Sequence, residues 1–193
     1  EVARGPILLV EPADNIGGGA PGDGTGVLRA LLRHRIAGSL VVVNDPTAVA
    51  GLAGALPGEV RRLAVGGRNW AGDEGPVELD GELVSRTDGK FTLEDRHSHL
   101  ASMAGVHIDM GPCAVVRSGG VTILLTSRKT PPFDLGQLRS QGLEPTAFAV
   151  IGVKAAVAHR RAYDPIAQAS FQVDTPGPCT SNLATLPWRR LRR

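Results

Sequence analysis

The sequence predicts a single α/β domain with a mixed sheet, in which parallel βαβ portions flank a central antiparallel hairpin region. Two observations predict it. Toward both ends of the chain, apolar runs of strand length alternate with helical patterns, the order that a partly parallel sheet requires. Between them, residues 76–126 alternate apolar and polar side chains or fold about glycine turns, as antiparallel hairpins do.

The elements follow in order. Ile7-Leu8-Leu9-Val10 is a strand that opens into Asp14-Asn15-Ile16-Gly17-Gly18-Gly19-Ala20-Pro21-Gly22-Asp23-Gly24-Thr25. Val27, Leu28, Leu31, Leu32 and Ile36 then recur at helical spacing. Ser39 to Asn44 is a continuous apolar run, and Asp45-Pro46 supplies an N-cap with proline at the first helical position. That helix is expected to reach about Leu56, before Pro57-Gly58, with Val60 to Val65 as the next strand of the alternation. In the middle, Val77, Leu79, Gly81 and Leu83 alternate with Glu78, Asp80 and Glu82. Asp88-Gly89 marks a turn from which Lys90 to Leu93 is expected to return as the hairpin partner. Cys113 to Arg117 and Val121 to Thr126 form a second hairpin around Ser118-Gly119-Gly120. Further on, Asp134 caps a short helix ending at Gly142, Thr146 to Val153 is a strand, Ala155 to Tyr163 a helix, and Ala169 to Val173 the last strand. No internal repeat or low-complexity linker divides the chain, so residues 1–193 read as one domain.

Composition narrows the function classes. The chain has 193 residues, 42% of them hydrophobic and only 4% aromatic, enough for one aliphatic core. Its formal charge of +2 rests on four arginines among the last six residues, Trp188 to Arg193. Without them the body is slightly acidic, which argues against a nucleic-acid surface. No window has the roughly 18 apolar residues of a membrane span. Cys113 and Cys179 show no metal or redox spacing, so a reducing, cytoplasmic setting is expected. The chain opens at Glu1 without a leader and ends in arginines, which suggests a piece of a longer protein.

The residues with chemical potential cluster at strand ends. A strand that enters a glycine-rich loop and leaves as a helix aims several N–H groups at one point, a setting that suits an anion. Here Asp14 and Asp23 flank the glycines. One reading gives them catalytic work as carboxylates beside a site; the other makes Asp14 an Asx turn and Asp23 a helix cap. Lys154 ends the apolar strand Ala149 to Val153, where α/β sheets place working residues, with His159 and Arg160 on the following helix. Thr126-Ser127-Arg128 ends another strand but lacks the nucleophile-elbow pattern. His97, His99 and His107 invite a metal reading, but the weak strand character around them favours an exposed loop.

The run Glu11 to Thr25 resembles the signature of the C-terminal region of MlrC-type proteins, the metallopeptidases named for degrading linearised microcystin. Asn44-Asp45-Pro46, Asp88-Gly89-Lys90-Phe91, Thr126-Ser127-Arg128 with Asp134, Val153-Lys154 with Arg160 and Tyr163, and Asp174-Thr175-Pro176-Gly177-Pro178 follow in the family's order. The resemblance implies a two-part zinc hydrolase whose N-terminal, metal-binding domain lies outside this chain. It implies catalytic roles for Asp14, Asp23 and Lys154, and substrate or anion binding by Gly17, Gly18, Gly19, Thr25 and Arg160. No metal ligand is assigned to this chain, and His159 stands one position beyond the histidine that many relatives carry four residues after the lysine. Zinc is expected in the full-length protein, with none bound tightly here. The expected partners are the N-terminal domain and a peptide or small amide substrate, with a homodimer possible; the isolated chain is expected to be inactive. Two alternatives stand beside this: an anion- or phosphate-binding α/β module using the Gly17–Gly19 loop, although no Walker lysine follows it, and a non-catalytic interaction domain.

Overall fold

The structure is a computed structural model that describes residues 5–186 and 188–190. Leu191, Arg192 and Arg193, half of the arginine-rich end, and Glu1 lie outside the described residues. The chain runs through β1 (Ile7–Val10), α1 (Gly26–Arg33), β2 (Ser39–Asn44), α2 (Pro46–Gly51), β3 (Val60–Val65), β4 (Val77–Thr87) and β5 (Lys90–Thr92). It continues with α3 (His99–Ala104), β6 (His107–Asp109), β7 (Cys113–Ser118), β8 (Val121–Thr126), α4 (Gly136–Arg139), β9 (Val150–Val153), α5 (Arg160–Tyr163) and β10 (Ala169–Gln172). Among the described residues, eight strands form one sheet in the order β10-β1-β9-β2-β8-β7-β4-β3, and β5 pairs with β6 apart from it.

The sheet is mixed as expected. Strands β10, β1, β9, β2 and β8 are parallel, whereas β7, β4 and β3 join antiparallel. Successive side chains of a strand point to opposite faces, and the core divides accordingly. Leu40 and Val42 of β2 pack with Leu8, Leu124, Leu138 and Tyr163 on one face. Val41 and Val43 pack with Val27, Leu28, Val49 and Ile123 on the other. Helices α1 and α2 thus cover one face, and α3, α4, α5 and the small β5–β6 pair cover its opposite. Gly152 permits the close approach of α1, since a Cβ there would stand 2.9 Å from the Cγ1 atoms of Val27 and Val41.

Several expected elements change. The segment Lys90–Thr92 does not return on β4: both edges of β4 are already paired, with β3 and β7, so β5 finds β6 instead. β3 is not part of the parallel alternation; it is the antiparallel edge strand beside β4. Helix α1 stops at Arg33 because the chain turns left-handed at Arg35 (φ 53°), and α2 stops at Gly51, short of Gly54 (φ 79°). Strand β9 begins only at Val150, since Pro145–Ala147 forms a 3-10 turn. The helix expected from Ala155 is confined to Arg160–Tyr163, and β10 ends one residue early at Gln172. The β7–β8 hairpin is as expected, with Gly119 and Gly120 both at positive φ, the backbone that a tight two-residue turn requires.

Candidate functional site

Parallel strands bring their C-terminal ends to one edge, where ligands of open α/β sheets bind. Here that edge carries the glycine-rich loop after β1, Lys154 after β9, Asp45 after β2 and the turn after β8.

Register builds its centre. Val10 pairs with Val153, so the next residues, Glu11 and Lys154, lie side by side. The Lys154 ammonium is 2.7 Å from Glu11 Oε2 and 2.8 Å from Asp14 Oδ2, and it donates to the Gly24 carbonyl at 2.7 Å. Glu11 and Asp14 are each 1% exposed and Lys154 is 6% exposed. Burial alone would lower the Lys154 pKa, but Glu11 and Asp14 outweigh it and hold the ammonium above its ordinary range. The second oxygen of Glu11 accepts from Thr175 Oγ at 2.8 Å, which ties the segment after β10 to the cluster.

Asp14 also accepts the Gly22 N–H (2.8 Å) and the Gly24 N–H (2.7 Å). Other loop amides turn inward: Gly18 and Ala20 donate to Asn15 O and Gly19 to Ile16 O. The loop therefore holds an anion, and that anion is its own Asp14. These amides are not aimed outward at a phosphate, contrary to the geometry that the anion-binding alternative needs. Gly17, Gly18 and Gly19 are nonetheless exposed, and Lys129, after β8, clamps the loop by donating to Gly19 O (3.1 Å) and Ala20 O (3.3 Å).

Asp23 is buried and caps no helix. Its Oδ2 accepts from Arg68 N (2.8 Å), Asn69 N (3.0 Å) and Asn69 Nδ2 (2.8 Å), fixing the loop after β3. Asp45 does two tasks: it caps α2 through Ala48 N (2.9 Å), and it binds Gly66 N (2.7 Å) and the Arg68 guanidinium. Thr25 is held through both its N–H and its hydroxyl by Asp73, at 2.9 and 2.6 Å.

The structure thus brings Asp14, Lys154 and the glycine loop together, with Asp23 and Thr25 at the end of that loop bound to Arg68, Asn69 and Asp73 of the segment after β3. Arg160 is not among them: it is exposed, 3.7 Å from Asp164 just past the end of its own helix, and among the described residues makes no hydrogen bond to the glycine loop. His159 is 2% exposed, with neither ring nitrogen hydrogen-bonded among the described residues. Burial pushes its pKa down. His97, His99 and His107 are exposed, and His107 Nδ1 meets Thr92 Oγ at 3.2 Å. Glu11, Lys129, Asp45, Asp73 and Thr175 are the site residues that sequence reasoning missed. For Glu11 there was a signal, an acid directly after an apolar strand and three residues before Asp14.

Among the described residues no group of three or more His, Cys, Asp or Glu side chains is placed to hold a metal ion. The acidic cluster itself does not suit one. Both carboxylates already accept hydrogen bonds, and an ammonium stands between them, so a dication would meet a positive charge and few open lone pairs. No helix among the described residues is long and apolar enough to cross a membrane.

Fold and site together define an α/β domain that holds a glycine loop at the C-terminal edge of its parallel strands. The chain belongs to the family described as the MlrC C-terminus, which matches residues 9–190. It is 24% identical over 151 residues to Microcystinase C of Sphingomonas sp., a match covering 77% of this chain and 28% of that protein. It is also similar to a crystal structure of a candidate metallopeptidase from Mesorhizobium sp. BNC1, with a TM-score of 0.82 and 26% identity, over 100% of this chain and 38% of that one. The chain therefore spans well under half the length of these relatives.

Proposed function

We propose that this chain is the C-terminal domain of an MlrC-like, zinc-dependent amide or peptide hydrolase whose active site is completed by an N-terminal domain of the same polypeptide. The observation that carries this is the glycine loop itself, pinned from below by the buried Asp14–Lys154 pair and exposed above at Gly17, Gly18 and Gly19. A surface without side chains lets an extended amide substrate approach the backbone closely. The names of the two similar proteins support a hydrolase. Because this chain's carboxylates do not suit a dication, we assign the zinc ligands to the N-terminal domain.

In this reading Asp14 and Lys154 are positioning residues. Lys154 stays protonated, so it moves no proton, and Asp14 sets the path of the loop through two amide bonds. Asp23 and Thr25 align the neighbouring loops in the same way. Free thiols at Cys113 and Cys179 accord with a cytoplasmic setting.

The test is made in the full-length protein. Asp14→Asn keeps the shape but removes the charge that faces Lys154. It is expected to lower kcat/KM by about tenfold or more, roughly 1.4 kcal/mol of transition-state stabilisation, with zinc content unchanged by metal analysis. Unchanged turnover would overturn the positioning role given to Asp14, and an absence of zinc-dependent amide hydrolysis by the unaltered full-length protein would overturn the hydrolase reading. The isolated chain is expected not to hydrolyse peptides, and steady zinc-dependent turnover by it would overturn the division of the site between two domains.

A further inference from the structure

A cavity of about 580 Å³ lies between α2 and the adjoining ends of β4, β7 and β8, clear of the buried cluster. That volume falls within the range of small-molecule sites, about 300–1,000 Å³. Val49, Ala50 and Ala53 form one wall, and Pro112 and Cys113 the other. The small alanines leave room that no side chain of the described residues fills.

Most polar groups around it are already engaged. Thr87 Oγ donates to Gln141 Oε1, Ser127 Oγ to Pro112 O (2.6 Å) and Cys113 Sγ to Gly111 O (3.2 Å). Burial, with Asp109 adding to it, pushes the Cys113 thiol up to about 12, so it stays neutral. Asp88 accepts the Lys90 N–H and has the Lys90 ammonium 3.8 Å away. Arg86 differs. One of its nitrogens donates to Leu52 O (3.1 Å), while Nε and the other terminal nitrogen have no partner among the described residues. An apolar cavity with one incompletely used guanidinium fits an apolar body that carries an anion, and the guanidinium fork matches a carboxylate.

Place supplies the rest. Ser127 lines the cavity, and Lys129, two residues on, grips the glycine loop. Cavity and loop therefore lie on one edge of the sheet.

We propose that this cavity binds an apolar amino-acid residue bearing a free carboxylate, as at the C-terminus of a peptide. The proposal deepens the hydrolase reading and rests on it for the nature of the substrate. The test titrates the isotopically labelled chain with N-acetyl-L-leucine and with N-acetyl-L-leucinamide, followed by amide NMR shifts. The acid is expected to shift the amides of Ala50, Ala53 and Cys113, and to bind about tenfold tighter than the amide, the order of one charge-assisted hydrogen bond. Arg86→Gln is expected to remove that preference, and Ala50→Trp to block both probes while the remaining spectrum stays native. Equal binding of acid and amide, absence of shifts, or shifts confined to another surface would overturn the proposal. The comparison of acid with amide needs no variant, so it stands even if Ala50→Trp misfolds. Binding here beside an absence of zinc-dependent amide hydrolysis by the full-length protein would support the cavity and remove the hydrolase assignment. Amide hydrolysis by the full-length protein without binding here would do the reverse.

Discussion

Replacing Lys154 by methionine tests whether the edge of the sheet is pinned by charge. Methionine keeps the length and most of the apolar stem but removes an ammonium that meets Glu11 at 2.7 Å and Asp14 at 2.8 Å. The two carboxylates, each 1% exposed, are then left facing one another without a cation. Removing one partner of a buried pair costs about 3–5 kcal/mol. A second route gives a similar size. Instead of staying charged, one carboxyl can take up a proton, which for an ordinary carboxyl at pH 7 costs about 4 kcal/mol, three units at about 1.4 each. The expected loss is therefore about 4 kcal/mol, a large share of the roughly 5–15 kcal/mol that holds a domain together.

The pH dependence separates this cause from lost packing. Lys154 has a raised pKa in the folded chain, so its contribution is fully present below the unfolded-state value and constant between pH 5.5 and 7.5. In the variant, proton uptake by the bared carboxyls becomes easier as pH falls. The deficit should shrink by about 1.4 kcal/mol per unit while a single carboxyl is being protonated. Urea unfolding of both proteins, followed by circular dichroism at pH 7.5 and 5.5, measures it. A deficit below about 1 kcal/mol, or one equal at both pH values, would refute an edge pinned by charge.

Other perturbations probe the neighbouring loops. Asp23→Ala removes the acceptor of three hydrogen bonds from Arg68 and Asn69; a loss of about 2–3 kcal/mol is expected, with faster hydrogen exchange at those two amides but not within β2. Gly17→Ala would place a Cβ 2.5 Å from Phe133 Cζ and should cost about 1–3 kcal/mol in thermal unfolding. Gly19→Ala meets nothing, but its φ of 101° should cost about 1 kcal/mol. His159 has a lowered pKa in the folded chain, so its stability contribution is complete above the unfolded value of about 6.5 and declines as pH falls, by up to about 1.4 kcal/mol per unit. His159→Phe should lack that decline between pH 6.5 and 5, and parallel curves for the two proteins would rule it out.

The layered fold was legible because period-two burial is written locally: Leu40 and Val42 face one layer, Val41 and Val43 the other. What local pattern does not carry is the partner. Asp88-Gly89 marks a true turn, with Gly89 at φ 72°, but a turn signal says only that the chain bends. Whether Lys90–Thr92 returns on β4 depends on which edges of β4 remain open, and β7, more than twenty residues later, decides that. The same limit hid the centre of the site. Glu11 and Lys154 are 143 residues apart and meet only because β1 and β9 align Val10 with Val153.

Asp14 shows how the two kinds of information combine. A glycine-rich turn leaves many N–H groups without secondary-structure partners, and each is costly to bury unpaired. The sequence supplies Asp14 ahead of the turn, and its two oxygens bind the amides of Gly22 and Gly24 while Lys154 neutralises its charge. Glycines at this density therefore do not by themselves imply a place for phosphate. A carboxylate within the loop can answer the same demand from inside, and a cation from a distant strand end is then needed to keep that carboxylate buried. In this chain the lysine at the end of β9 and the acids after β1 depend on one another. Perturbing either should move the glycine loop before it moves the core.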